Sequence, residues 1–238
     1  MMKIKNILIS MLFLGILLGT LGLSFPLPFK GGINHEVFGS NLWLQREIQL
    51  LKSQARNIDD KVLRLALTAY MNTHKHGYVG KQILTVIDYS KPSTQKRMWV
   101  FDLRNNRTLF NTFVAHGKNS GGVNSNSFSN HPGSLKSSLG VFVTDTTYTG
   151  KNGYSLRLRG LDRGFNDSAY SRAIVVHGAA YASAANAARG QGLGRSWGCP
   201  AVSPALAKPI INTIKDRSVV FAYYPDRKWL SQSTFLGV

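Results

Sequence analysis

The chain carries one cysteine in 238 residues, so no intramolecular disulfide can form. A disulfide-stapled scaffold is excluded, and the core must come from ordinary burial. Acidic residues are scarce: 11 Asp and Glu face 29 Lys and Arg, a net charge of +18, or +16 without Lys3 and Lys5. Such a surface collects polyanions. Dense basic runs are missing as well, which argues against a dedicated nucleic-acid patch. Asp162 and Asp167 lack a paired-carboxylate setting, which disfavours glycosidase chemistry. His74 and His76 form an H-x-H with no third ligand in range, so zinc is not expected. There is no internal repeat, and 43% hydrophobic against 17% charged residues describes one ordinary folded domain.

Long apolar runs are absent except at the start, where Lys3 and Lys5 precede "NILISMLFLGILLGTLGLSF" and no further charge appears until Lys30. Residues 1–29 read as an export signal. The run is long for a cleaved signal and just spans a bilayer, with no clean A-x-A site after it, so a membrane tether through residues 7–25 stands beside cleavage. Either places the remainder outside the cytoplasm, in the periplasm or cell envelope. An exported basic protein meets carboxylate-rich wall and anionic lipid before nucleic acid, and no nucleic-acid partner is expected.

Residues 30–80 read as linker and helical region. "NLWLQREIQLLKSQ" repeats apolar residues at Leu42, Leu44, Ile48 and Leu51, and "NIDDKVLRLALTAYMNTHKHG" does so at Val62, Leu65, Ala66, Ala69 and Tyr70. Asp59 or Asp60 opens the second helix and Gly77 ends it. Residues 81–238 read as a mainly β domain with accessory helices, an α+β arrangement. "QILTVIDYS", "RMWVFDL", "LFNTFVAHG", "GVFVTDTTY", "YSLRLRGL", "RAIVVHG" and "SVVFAYY" are the expected strands. "SPALAKPIINTIKD" is a helix capped by Ser203, with Pro204 in its first turn and Pro209 shortening or bending it. The Ser/Asn/Gly-rich segment from Gly117 to Ser138 is a long loop fit to border a site.

"GRSWGCPAVS" holds two nucleophile candidates. Ser196 sits in a G-x-S-x-G, but no strand leads into it, Pro200 follows within four residues, and no histidine comes after His177. A nucleophile elbow needs all three features, so Ser196 is read as holding the turn or donating to substrate. Cys199 needs only a base, and His177 ends an apolar strand upstream. A thiolate–imidazolium pair forms if the two meet; spacing alone does not bring them together. Pro200 has no N–H, which leaves the amides of Gly198 and Cys199 to serve an oxyanion. His116 is read as structural or surface.

"IVVHGAAY" followed by "GRSWGCPAV" resembles the catalytic signature of the YkuD-type L,D-transpeptidases, and within them the murein L,D-transpeptidase catalytic domain branch. "LTVIDYSKPS", "FSN", "SSLGVF" and "GYSLRLRGLDRGFND" occur in that branch's order. The resemblance implies a β-sandwich-like domain needing no cofactor. In it Cys199 attacks the L-centre carbonyl of meso-diaminopimelate before a terminal D-Ala, with His177 as base and then acid. An amine of a neighbouring stem resolves the thioester to a 3→3 cross-link, or water resolves it in L,D-carboxypeptidation. Ser196 and Gly198 fall on the family's Ser-x-Gly-Cys, and Gly178, Tyr181, Arg195 and Trp197 are the expected substrate contacts. The family orients its histidine partly through a backbone carbonyl. It also continues from the cysteine to an aliphatic residue and then Arg or Asn, where this chain has Pro200 and Ala201. Arg195, Arg157 and Arg159 are the candidates to supply that charge, the latter two more simply read as a solvated strand face. The long His177-to-Cys199 spacing suggests a lid carrying Tyr181. Two rivals remain: a catalytically silent wall-binding module on the same fold, and a cysteine wall peptidase, in which the cysteine would precede its histidine.

Overall fold

In the computed structural model, residues 37–237 are described. The expected signal or tether (1–29, including 7–25) and the first part of the linker lie outside them. Among the described residues no helix is long and apolar enough to cross a membrane.

Helix α1 (Asn41–Gln54) begins where Ser40 accepts the Trp43 N–H, and α2 (Asp60–Lys75) begins where the Asp59 carboxylate accepts the Lys61 and Val62 amides. Both caps satisfy N–H groups that the first turn cannot pair internally. On α1 the buried stripe is Leu44, Glu47 and Leu51, while Leu42 is 54% exposed. Two residues along a helix turn the side chain about 200°, so Leu42 and Leu44 cannot share a face.

Among the described residues eight strands form one mixed sheet: β1 (Ile83–Asp88), β2 (Met98–Asp102), β3 (Arg107–Thr112), β4 (Gly140–Gly150), β5 (Gly153–Gly160), β6 (Val175–Gly178), β7 (Ala201–Val202) and β8 (Val219–Tyr223). Their spatial order is β3-β2-β1-β8-β4-β5-β6-β7, with β1–β8 and β6–β7 parallel and the other pairs antiparallel. The sheet nearly closes on itself. Past β3 the chain peels away and Ala115 donates to the Ala201 carbonyl at 2.8 Å, joining the two ends of the strand order. The expected strand through "LFNTFVAHG" therefore stops at Thr112, because its second half serves this closure instead of the β2 ladder.

Three short helices complete the domain: α3 (Ala184–Ala188), α4 (Pro204–Ile214) and α5 (Arg227–Gln232). Pro209 does not shorten α4, which runs to Ile214; Ser203 occupies the cap position without a side-chain capping bond. One apolar core joins α2, α4 and the sheet, with Leu63, Leu67, Trp99, Phe101, Ile211, Phe221 and Trp229 fully buried. Asp162 ties α5 to it, its carboxylate accepting from Val141 N, Trp229 Nε1 and Ser233 Oγ. The mainly β domain with accessory helices matches the sequence reading.

Candidate active site

The β6–β7 pairing is what brings the two motifs together. His177 lies opposite Ala201, and the Ala179 N–H bonds the Val202 carbonyl at 2.8 Å, so Cys199 enters β7 beside the histidine-bearing strand. Before it, the turn is braced from several sides. Ser196 Oγ donates to the Cys199 carbonyl (2.6 Å) and accepts the Gly198 N–H (3.1 Å), while Ser137 Oγ donates to the Gly198 carbonyl (3.0 Å). Ser196 N–H reaches the His116 carbonyl at 3.0 Å. Gly198 has φ +127°, and a Cβ there would lie 2.7 Å from the Lys136 carbonyl, so no other residue fits. Ser196 thus holds the turn and is buried, and the Gly198 amide is engaged with it. Of the two amides read as oxyanion donors, only that of Cys199 is without a protein partner among the described residues.

His177 Nδ1 lies 3.0 Å from the Gly178 carbonyl. A carbonyl only accepts, so Nδ1 carries the proton and Nε2 is left with its lone pair. The Cys199 thiol donates to the Ala173 carbonyl at 3.6 Å and accepts the Val175 N–H at 3.4 Å. No hydrogen bond joins the two side chains. Burial pushes the Cys199 thiol up, opposed by the Val175 N–H and by the Arg172 charge, and burial pulls the His177 imidazole down. Both shifts favour the uncharged forms, a thiol and a neutral imidazole.

Both side chains open onto a cleft of about 380 Å³ that Arg172, Tyr181, Arg195 and Trp197 also line, with Tyr148, Lys151 and Asn152 from the β4–β5 hairpin. It holds three cations and no carboxylate. Trp197 is 74% exposed at the lip, and Arg195 donates to the Gly121 carbonyl. Gly178 is not a cleft residue. A Cβ there would meet Ala207 Cβ at 3.0 Å, so it allows α4 to approach and gives its carbonyl to His177. His116 is buried, its Nδ1 accepting from Arg97 at 2.7 Å, and burial with the Arg97 charge holds it at about 4.

A model of the L,D-transpeptidase catalytic domain matches residues 54–223. The chain belongs to that family. Solved structures it resembles include an L,D-transpeptidase from Mycobacterium smegmatis (14% identity, TM-score 0.39, 61% of this chain and 60% of that one). Others are the helical cell shape determining protein Pgp2 from Campylobacter jejuni (12%, 0.41, 71% and 60%) and an L,D-transpeptidase from Stackebrandtia nassauensis (12%, 0.36, 76% and 77%). The alignment spans about three-fifths of the first of these. At such values membership rests on the family model. No curated protein matches.

Within this L,D-transpeptidase domain, Ala201 stands where the motif otherwise carries Arg or Asn, and it is fully buried and pairs with both His177 and Ala115. The cation beside Cys199 comes from elsewhere. Arg172 reaches the cleft from a turn in which Ala173 has φ +54°, so β6 begins at Val175, three residues after the start of "RAIVVHG". Its guanidinium donates to Ser129 O (2.6 Å), Ser138 Oγ (2.6 Å), Ser134 Oγ (3.1 Å) and Lys136 O (2.7 Å). Sequence reasoning missed Arg172 because "RAIVVHG" scans as one strand. Lys151 and Asn152 were missed because "TGKNG" scans as a plain turn, and Tyr148 because it ends "GVFVTDTTY", which reads only as a strand.

Proposed function

We propose that the domain is an exported cysteine L,D-transpeptidase acting on peptidoglycan tetrapeptide stems, with residues 1–29 as signal or, through 7–25, as tether. His177 Nε2 takes the Cys199 proton, and Sγ attacks the L-centre carbonyl of diaminopimelate. The bond to D-Ala breaks, the imidazolium returns its proton to the departing amine, and a thioester remains on Cys199. An amine of a second stem, or water, then attacks the thioester while His177 accepts its proton, and the thiol is regenerated. The Cys199 N–H is the amide free to meet the developing oxyanion. Arg172 supplies the positive charge that favours the thiolate, the part that an Arg or Asn after the cysteine would take. Trp197 and Tyr181 flank the bound peptide.

The observation that carries this reading is the pinned Nδ1 of His177, which leaves Nε2 available in the cleft that also holds the lone thiol. Intact mass after incubation with a disaccharide tetrapeptide tests it. A covalent adduct on the reduced wild type that is absent from Cys199→Ala, with D-Ala released, supports the acyl-enzyme. A folded, reduced wild type giving neither adduct nor D-Ala favours a silent wall-binding module.

A further inference from the structure

Arg157 sits on β5 directly opposite Val175, and Ser155 sits opposite His177. Opposed residues of an antiparallel pair share a face, so Arg157 lies on the cleft side of the sheet, one strand from the residue whose amide touches Cys199 Sγ. The alternate residues Leu156 and Leu158 face the core. The guanidinium of Arg157 is held between two rings, its Cζ 4.5 Å from the centroid of Tyr148 and 5.5 Å from that of Tyr170. Tyr148 is itself a cleft wall. The Arg157 side chain makes no hydrogen bond and no ion pair among the described residues. Its neighbour Arg159 differs, pairing with Asp145 while stacking on Tyr170 at 4.3 Å.

Stacking fixes a guanidinium plane while leaving its edge, where all five donors lie, open to a ligand. A fork orientated in advance loses little freedom on binding a planar anion, and two parallel N–H bonds match a carboxylate. The cleft beside it is already cationic and contains no acid that could occupy the fork.

We infer that Arg157, clasped by Tyr148 and Tyr170, is a carboxylate-binding subsite continuous with the cysteine cleft, reading a carboxylate of the acyl-donor peptide on the residue before the diaminopimelate. This rests on the stem-peptide reading of the cleft. In such stems that residue is a γ-linked glutamate whose α-carboxyl is either free or amidated, and the two forms have nearly the same shape. The subsite therefore distinguishes them by charge.

The test compares kcat/KM for D-Ala release from disaccharide tetrapeptides carrying the free acid or the amide, in wild type, Arg157→Met, Arg157→Lys, Arg159→Met and Cys199→Ala. The wild type should prefer the acid by about tenfold or more, the usual worth of a charge-assisted bond. Arg157→Met should bring the ratio to near one, mostly through KM, with Arg157→Lys between the two because it keeps the charge and loses the fork. Arg159→Met should keep the wild-type ratio. No preference in the wild type, or an unchanged ratio in a folded Arg157→Met, overturns the subsite. So does equal loss in Arg159→Met, which would assign the effect to the basic strand as a whole. Cys199→Ala separates the two levels. If it still releases D-Ala, the cysteine reading fails and the subsite with it; if it is inactive while Arg157→Met keeps its ratio, the subsite alone fails.

Discussion

Arg97 and Arg172 are both held without a carboxylate partner, yet one builds the domain and the other faces the cleft. Arg97 is fully buried and spends its donors on Val114 O, Lys91 O, Ser125 Oγ and His116 Nδ1, with Tyr89 stacked at 5.2 Å. Burial pulls its guanidinium down to about 10. The Val114 carbonyl it holds directly precedes Ala115, the residue that closes the sheet, and the His116 carbonyl holds Ser196. Arg172 makes four bonds of similar length, but one side of it opens onto the cleft, where its charge opposes the rise of the Cys199 thiol. The comparison teaches that hydrogen-bond saturation does not separate a cation sealed into the scaffold from one that faces the cleft. What separates them is whether any face of the charge remains to be answered by something that arrives.

The sharpest way to break this comparison is to remove each charge in turn. Arg97→Met should be the most damaging, leaving buried carbonyls unpaired and the closure unsupported, at a cost of roughly 3 kcal/mol or more in chemical denaturation. An unfolding free energy near wild type would show that Arg97 is not the scaffold partner.

A second effect comes from pH. An unfolded imidazole takes its proton near 6.5, whereas His116 in the fold resists it until about 4. Between those values the unfolded chain binds more protons, so stability falls as pH drops through this window and is flat, for this group, above it. The full loss is roughly 3 kcal/mol below the window. Denaturation midpoints measured across it should lose most of that slope in His116→Asn.

Arg172→Gln should be milder to the fold and harsher to the thiol. The thiolate fraction at neutral pH should fall by about tenfold, read as slower alkylation of Cys199 by iodoacetamide and a shifted pH profile of that rate. Ser134→Ala with Ser138→Ala loosens the same loop while keeping the charge, and should leave the profile in place. If it reproduces the Arg172→Gln shift, Arg172 belongs with Arg97 as scaffold. The smallest effect on stability is expected from Trp197→Ala, within about 0.5 kcal/mol because the ring is exposed, while KM for the stem peptide rises several-fold. An unchanged KM would remove Trp197 from the peptide's path.

Much of this was readable because the relevant physics is local. The bounds of α1, an aspartate at the start of α2 (Asp59 or Asp60, of which the structure uses Asp59), and the alternation in β5 that sends leucines inward and arginines outward follow from neighbours within a few residues. The cysteine and histidine motifs stood out through family resemblance, not through their spacing. What could not be read depends on contacts made across the chain. β7 is two residues long and exists only because β6 and Ala115 flank it; Arg172 is a cleft residue only because Ala173 adopts a left-handed turn; and the Gly198 amide is occupied only because Ser196 folds back onto it.

The closing bridge between Ala115 and Ala201 also bears on the order of assembly. The sheet needs β1 beside β8, residues such as Leu84 and Val219 far apart in sequence, before its two ends can meet. Contacts of such long separation form late, since their loop-closure cost must be met first. The cysteine turn is anchored at that final seam, so a partly synthesised or partly folded chain carries the thiol and the imidazole without the geometry that couples them. The rate at which Cys199 becomes protected from alkylation during refolding is therefore expected to report closure of the sheet.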